Sequence, residues 1–268
     1  MALSLAAIVG SMGAAWLTSH RGAVGPTILQ SNTPVLAALA VLVVLAVATA
    51  LGAVVARATT SASGMFIVGF ALFVLAMRLQ GVSEYVFLEG GVGSLILESI
   101  GLSVLVLVSS ILIFHIGGHL KDVSFNEHGS FDDQFSLEGI GRAILVSLAI
   151  LPVVWIIAVA PSKGQAIGAA VAGGIAVGGC ARYFAPSLQP VVVYATPTAV
   201  AAIGYVIAYM FGVGVSDVAL TQQTISPLLN PMPIDYAAGS IMGISIGLSW
   251  VVSTDKLRLE LKVTKELD

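Results

Sequence analysis

The sequence predicts an all-α integral membrane protein, a bundle of about eight transmembrane helices with short loops and a small cytoplasmic loop and tail element. Of its 268 residues, 57% are hydrophobic and only 9% are charged. The mean hydropathy is +1.02. Ordinary soluble proteins are about 45–50% apolar and about 25% charged. The few charges also separate apolar runs close to the roughly 20 residues with which a helix crosses a bilayer. Together these observations exclude a soluble core.

Eight apolar runs define the predicted spans, and seven spans is the alternative because the third, sixth and eighth runs are short. The predicted spans are residues 2–18, 34–56, 64–80, 92–116, 140–160, 164–180, 190–211 and 236–252. They divide the chain into a membrane domain (1–252) and a charged cytoplasmic tail (253–268). The first run has no basic segment before it and no small-residue cleavage site, so we expect it to be retained rather than removed as a signal peptide.

The distribution of basic residues predicts that both termini are cytoplasmic, since cytoplasmic loops are enriched in Lys and Arg. In this orientation only Arg21 and Lys163 lie on the outer side, and Arg78 lies within a span. Those on the cytoplasmic side are Arg57, Lys121, Arg142, Arg182, Lys256, Arg258, Lys262 and Lys265. The expected location is a bacterial cytoplasmic membrane. Besides the lipid bilayer, a homo-oligomer or other membrane subunits are candidate partners.

The charge and cysteine content exclude other classes. A net charge of -3 offers no basic surface for nucleic acid. The single Cys180 cannot form an internal disulfide, and no Cys/His spacing resembles a zinc site. We therefore expect no nucleic-acid partner and no cofactor.

Glu98 is the first candidate functional residue, because it lies well inside an apolar run. Intramembrane acids are costly and usually face a partner, a cavity or a proton path. Arg78, near the outer end of the preceding span, could form a structural ion pair with it. The alternatives are a proton- or ion-coupled site and a neutral Glu bonded to the backbone. Glu84 and Glu89, in the same outer connection, could complete an acidic vestibule, although solvated side chains are the simpler expectation.

Three weaker features involve the cytoplasmic side and the glycine-rich sixth span. His115, His119 and Asp122 could hold a metal ion, because the histidines have i, i+4 spacing; the intervening glycines argue against a helix there. In the tail, Leu257, Leu259, Leu261 and Val263 alternate with polar residues, which is typical of a strand that pairs with a partner; a helix continuing the eighth span is equally compatible. The pairs Gly164/Gly168 and Gly174/Gly178 have the spacing that lets helices approach closely, either centrally or at an oligomer seam.

Prolines interrupt the predicted helices in the second half of the chain. Pro152 and Pro197 interrupt the fifth and seventh spans. Pro227, Pro231 and Pro233 disfavour helix in the outer connection 212–235, which is expected to form an ordered cap or a re-entrant segment. No catalytic or nucleotide motif is present. The sequence thus favours a small permease or channel, or a structural subunit of a membrane assembly. A membrane enzyme acting on a lipid or isoprenoid substrate is the alternative.

Overall fold

A computed structural model describes residues 1–118, 120, 135–186, 188–212 and 215–250. Within these ranges the regular structure is helical, apart from one isolated bridge between Thr18 and Val24. The helices are α1 Ala2–Gly13, α2 Pro34–Ala58, α3 Ser61–Arg78, α4 Val82–Phe87, α5 Val92–Gly117, α6 Leu137–Ser147, α7 Ile150–Ile157, α8 Lys163–Phe184, α9 Thr196–Phe211, α10 Asp217–Thr221 and α11 Pro233–Trp250. The all-helical fold is thereby confirmed for the described residues.

Within the described residues, five segments are long and apolar enough to cross a membrane: α2, α3, α5, the combined α6 and α7, and α8. Two further apolar helices, Ala2–Trp16 and Thr196–Phe211, are shorter. A helix lies in each of the eight predicted spans, but the count of eight crossings stays a prediction. Helices α2, α5, α8 and α11 begin at one end of the bundle, which we call the upper end. It is the outer side in the predicted orientation.

Proline accounts for two departures from the predicted spans. The fifth span is divided into α6 and α7, since Pro152 has no N–H for the carbonyl one turn earlier and the chain turns at Leu148 and Ala149. Pro197 likewise delays α9, and residues 190–195 form buried turns instead. Ser110 Oγ donates to the carbonyl of Val191 at 2.9 Å, which provides a partner that the interrupted helix cannot supply.

The centre of the bundle is α11, which packs against α8 and α3 and is buried along most of its length. Glycines bring α8 and α11 into backbone contact. A Cβ on Gly174 would lie 2.6 Å from the carbonyl oxygen of Ser240, and one on Gly243 would overlap the carbonyl oxygen of Val171. Gly164 and Gly168, by contrast, have open space around them. Of the two predicted glycine pairs, only Gly174/Gly178 makes a close helix contact, and it does so inside the bundle.

Candidate functional site

Glu98 is buried near the upper end of α5, with 6% of its surface exposed. Its Oε2 atom accepts hydrogen bonds from two consecutive backbone amides, Ile28 at 3.0 Å and Leu29 at 3.2 Å. Successive N–H groups of this kind form a small concave anion site. Glu98 therefore anchors the connection between α1 and α2, residues 17–33, which we call the first upper loop.

The first upper loop is built to reach Glu98. Its residues 25–28 are buried, and Ser31 Oγ donates to the carbonyl of Ile28 at 2.8 Å. The amide of Asn32 donates to the carbonyl of Thr18 at 2.7 Å, which closes the base of the loop. These bonds hold the Ile28 and Leu29 amides towards the interior of the bundle.

The interpretation of Arg78 and Glu98 as an ion pair is wrong, because Arg78 lies exposed at the last residue of α3 while Glu98 bonds to the loop. The acidic vestibule is only partly present. Glu84 pairs with Arg21 at 3.6 Å, and Glu89 is exposed with φ near 55°. Glu98 is thus the only one of these three acids that is fully buried.

Tyr85, in the short helix α4, lies beside the same site. Its hydroxyl donates to the carbonyl of Gly91 at 2.7 Å and lies 2.5 Å from Ser94 Oγ. Burial raises the pKa of Tyr85 to about 12; the nearby Glu98 carboxyl adds to this and the Ser94 bond opposes it. The phenol therefore stays protonated and donating at physiological pH.

A second buried carboxyl, Asp235, lies in the first turn of α11 and is 0% exposed. Its Oδ2 accepts from the amide of Met232 at 2.9 Å, a typical bond at a helix N-terminus. Its Oδ1 lies 2.7 Å from Lys163 Nζ at the start of α8. Lys163 Nζ also donates to the carbonyl of Gln80, at 3.2 Å. One ammonium group thus joins the upper ends of α3, α8 and α11.

Two buried tyrosines complete the arrangement. The rings of Tyr205 and Tyr236 meet edge to face, with centroids 5.8 Å apart. Their hydroxyls donate to the carbonyls of Pro231 and Leu228, respectively. Tyr205 interacts electrostatically with both Glu98 and Asp235, and the two carboxyls interact with each other. We call Glu98, Lys163, Tyr205, Asp235 and Tyr236 the upper polar cluster.

Sequence reasoning found Glu98 but not the other members of the cluster. The sequence predicts that the eighth span begins at residue 236, which places Asp235 in the outer connection, whereas α11 begins at Pro233. The pattern Pro233-Ile234-Asp235 could have revealed it, since proline is favoured at the first helical position and an acid in the first turn. Nothing in the sequence indicated that Lys163, 72 residues earlier, would meet Asp235.

The weaker candidates are not brought together by the described part of the chain. His115 is exposed near the end of α5, whereas His119 and Asp122 lie outside the described residues. Within those residues, no three His, Cys, Asp or Glu side chains form a group that could hold a metal. The tail residues Leu257, Leu259, Leu261 and Val263 also lie outside the described ranges, so their pairing stays a prediction.

The described part of the chain is all-helical, with several apolar helices, and is compatible with a multi-pass membrane protein. The upper polar cluster is its most distinctive chemical feature. Comparison of the chain with protein-family models, with characterised proteins and with solved structures finds no match.

Proposed function

We propose that this chain is a small proton- or cation-coupled permease whose coupling site is the upper polar cluster. The observation that carries the proposal is the imbalance of charge within the upper polar cluster. Two carboxyls, Glu98 and Asp235, are accompanied by one ammonium, Lys163, and that ammonium contacts Asp235. Glu98 has no cationic partner among the described residues, and its Oε1 has no hydrogen-bond partner there.

An uncompensated buried carboxylate costs several kcal/mol. A proton or a small cation at Glu98 would remove that cost. In membrane proteins, buried acids within the spans are characteristic of proton relays and ion pathways. The partial exposure of Lys163, whose side chain is 17% exposed, supports a short route from the cluster to solvent.

The attachment of the first upper loop to Glu98 would couple proton binding to a movement. A charged carboxylate makes charge-assisted hydrogen bonds to the Ile28 and Leu29 amides, roughly twice as strong as neutral ones. A proton on Glu98 would relieve the buried charge but weaken the hold on the loop. Proton binding at Glu98 would therefore shift the equilibrium between an anchored and a released loop.

The test is proton movement in liposomes that contain the purified protein and an internal pH-sensitive dye. A panel of small solutes is added under a pH gradient, and solute-dependent dye response is measured for wild type, Glu98→Gln and Arg78→Gln. We expect the solute-dependent dye response of Glu98→Gln to be at least about tenfold smaller than that of wild type, since the amide of Gln does not bind and release protons. Arg78→Gln is the matched control, because it removes an exposed charge near the same end.

Glu98→Gln retains a carbonyl oxygen that can accept from the first upper loop, so a loss of response is not expected to reflect unfolding. Wild-type response in Glu98→Gln would contradict the proposal. Purification of the chain in stoichiometric complex with other subunits, and without any solute response, would favour a structural role instead.

A further inference from the structure

A groove opens at the upper end between α7, α9 and the segment 220–230. It has a volume of about 360 Å³ and is lined by Trp155, Val159, Phe211 and Ser226, among others. A smaller chamber of about 60 Å³, lined by Val159 and Asn230, adjoins it and shares three of its lining residues. The groove falls within the range of small-molecule sites, about 300–1,000 Å³. We call the two spaces together the upper groove.

Asn230 supplies a fixed hydrogen-bond acceptor at the inner end of the upper groove. The residue is 3% exposed. Its Nδ2 donates to the carbonyl of Ala158, which follows the last residue of α7. Reversing the amide would place two oxygens against each other, so the orientation is determined. Oδ1 then remains buried with no hydrogen-bond partner among the described residues.

Ser226 supplies a second unsatisfied group in the larger space. The residue is 8% exposed, and its hydroxyl has no hydrogen-bond partner within the described ranges. A buried polar group without a hydrogen-bond partner destabilises the protein. Two such groups beside one cavity favour an occupant that bears at least one hydrogen-bond donor.

The lining restricts the chemistry of that molecule. No described residue lining either space is charged, so nothing there would neutralise a phosphate or a carboxylate. The mouth is apolar and faces outwards, with Phe211 83% exposed and Trp155 and Val159 also exposed. On a membrane helix such a mouth meets acyl chains, and aromatic residues at the end of a span lie at headgroup level.

We propose that the upper groove binds an uncharged, hydroxyl-bearing lipid of the diacylglycerol class. The lipid hydroxyl donates to Asn230 Oδ1, a lipid oxygen accepts from Ser226 Oγ, and the acyl chains leave past Phe211 and Trp155. This site is separate from the proposed coupling site and requires no transport activity.

The experiment uses the full chain in nanodiscs and a photoactivatable diacylglycerol as the probe. Labelled peptides are mapped by mass spectrometry, with unlabelled competitors present. We expect saturable labelling within residues 205–212 and 222–227, and competition by diacylglycerol. The methyl ether of the same diacylglycerol, which has no donor, should compete about fivefold less well, since one hydrogen bond is worth about 1 kcal/mol. Phosphatidic acid should compete no better than the ether.

Protein variants provide an independent readout. Ser226→Ala should lower labelling about fivefold, whereas Ser99→Ala, which removes a buried unpartnered hydroxyl elsewhere, should leave it unchanged. Phe211→Ala should lower labelling. Phe184 is also exposed but lies at the lower end of α8, away from the groove, so Phe184→Ala should leave labelling unchanged. Non-saturable labelling, equal competition by the methyl ether, or wild-type labelling in Ser226→Ala would overturn the proposal in favour of water-filled space or ordinary surrounding lipid.

Discussion

The buried ion pair between Lys163 and Asp235 yields the most demanding stability prediction. Lys163→Met removes the ammonium and leaves a carboxylate at a position that is 0% exposed. At the observed 2.7 Å separation, the attraction is about 6 kcal/mol for an effective dielectric constant near 20. Part of this attraction is lost to solvent screening at the partly exposed lysine and to the desolvation of Asp235. The net cost of Lys163→Met should be about 3–5 kcal/mol, the usual range for removing one partner of a buried pair.

Asp235→Asn should cost less, about 1–2 kcal/mol, because an amide oxygen can still accept from Met232 and Lys163 can turn to solvent. Lys163→Met combined with Asp235→Asn should be no less stable than Lys163→Met alone, with a coupling energy of about 2–3 kcal/mol. The assay is denaturant-induced unfolding in mixed micelles, followed by tryptophan fluorescence at pH 7.

The control for this cycle is Arg142→Met, which breaks the exposed pair with Glu138. Exposed i, i+4 pairs contribute only about 0.3–0.5 kcal/mol. If Lys163→Met cost no more than Arg142→Met, or if Asp235→Asn failed to rescue it, the argument that burial makes this pair structurally essential would be refuted.

Three further predictions concern packing and the first upper loop. Gly243→Ala should destabilise the fold by at least about 2 kcal/mol, because its Cβ would overlap the backbone of α8; Gly168→Ala, which has open space, should be neutral or stabilising by up to about 1 kcal/mol in the same unfolding assay. Ser110→Ala should cost about 1–3 kcal/mol by leaving a buried carbonyl before α9 unpaired. Glu98→Leu should accelerate trypsin cleavage at Arg21 in sealed vesicles whose outer surface carries the upper end of the protein, whereas Glu98→Gln should have little effect. Equal cleavage rates in wild type and Glu98→Leu would show that Glu98 does not hold the loop.

The positions of the long helices were predictable because apolar run length and proline are local properties of the sequence. The short helix α10 was not predicted, because it lies in the connection 212–235 where proline disfavours helix. The division of the fifth span follows from Pro152, and the delay of α9 follows from Pro197. The burial of Glu98 was also predictable, from the apolar residues on either side of it. Each of these inferences uses residues within about one helix length.

The partners of the buried charges were not predictable, because they are distant in sequence and partly made of backbone. Glu98 meets amides that lie 70 and 69 residues away, and any residue can supply an N–H. Arg78 was a plausible partner by depth, yet α3 ends at that residue and leaves its side chain exposed. The pairing of Lys163 with Asp235 depends on how α8 and α11 pack, which their glycines permit but do not specify.

The glycine contact between α8 and α11 has a mechanical consequence. Helices separated by side chains can slide by small rotamer changes, but helices whose backbones touch have no such layer to absorb a shift. The pair is also fastened at both ends, by Lys163 to Asp235 above and by Arg182 Nε to the carbonyl of Leu248 below. Helices α8 and α11 should therefore move together as one rigid body. Any opening of the bundle must then come from movement of the other helices relative to this pair.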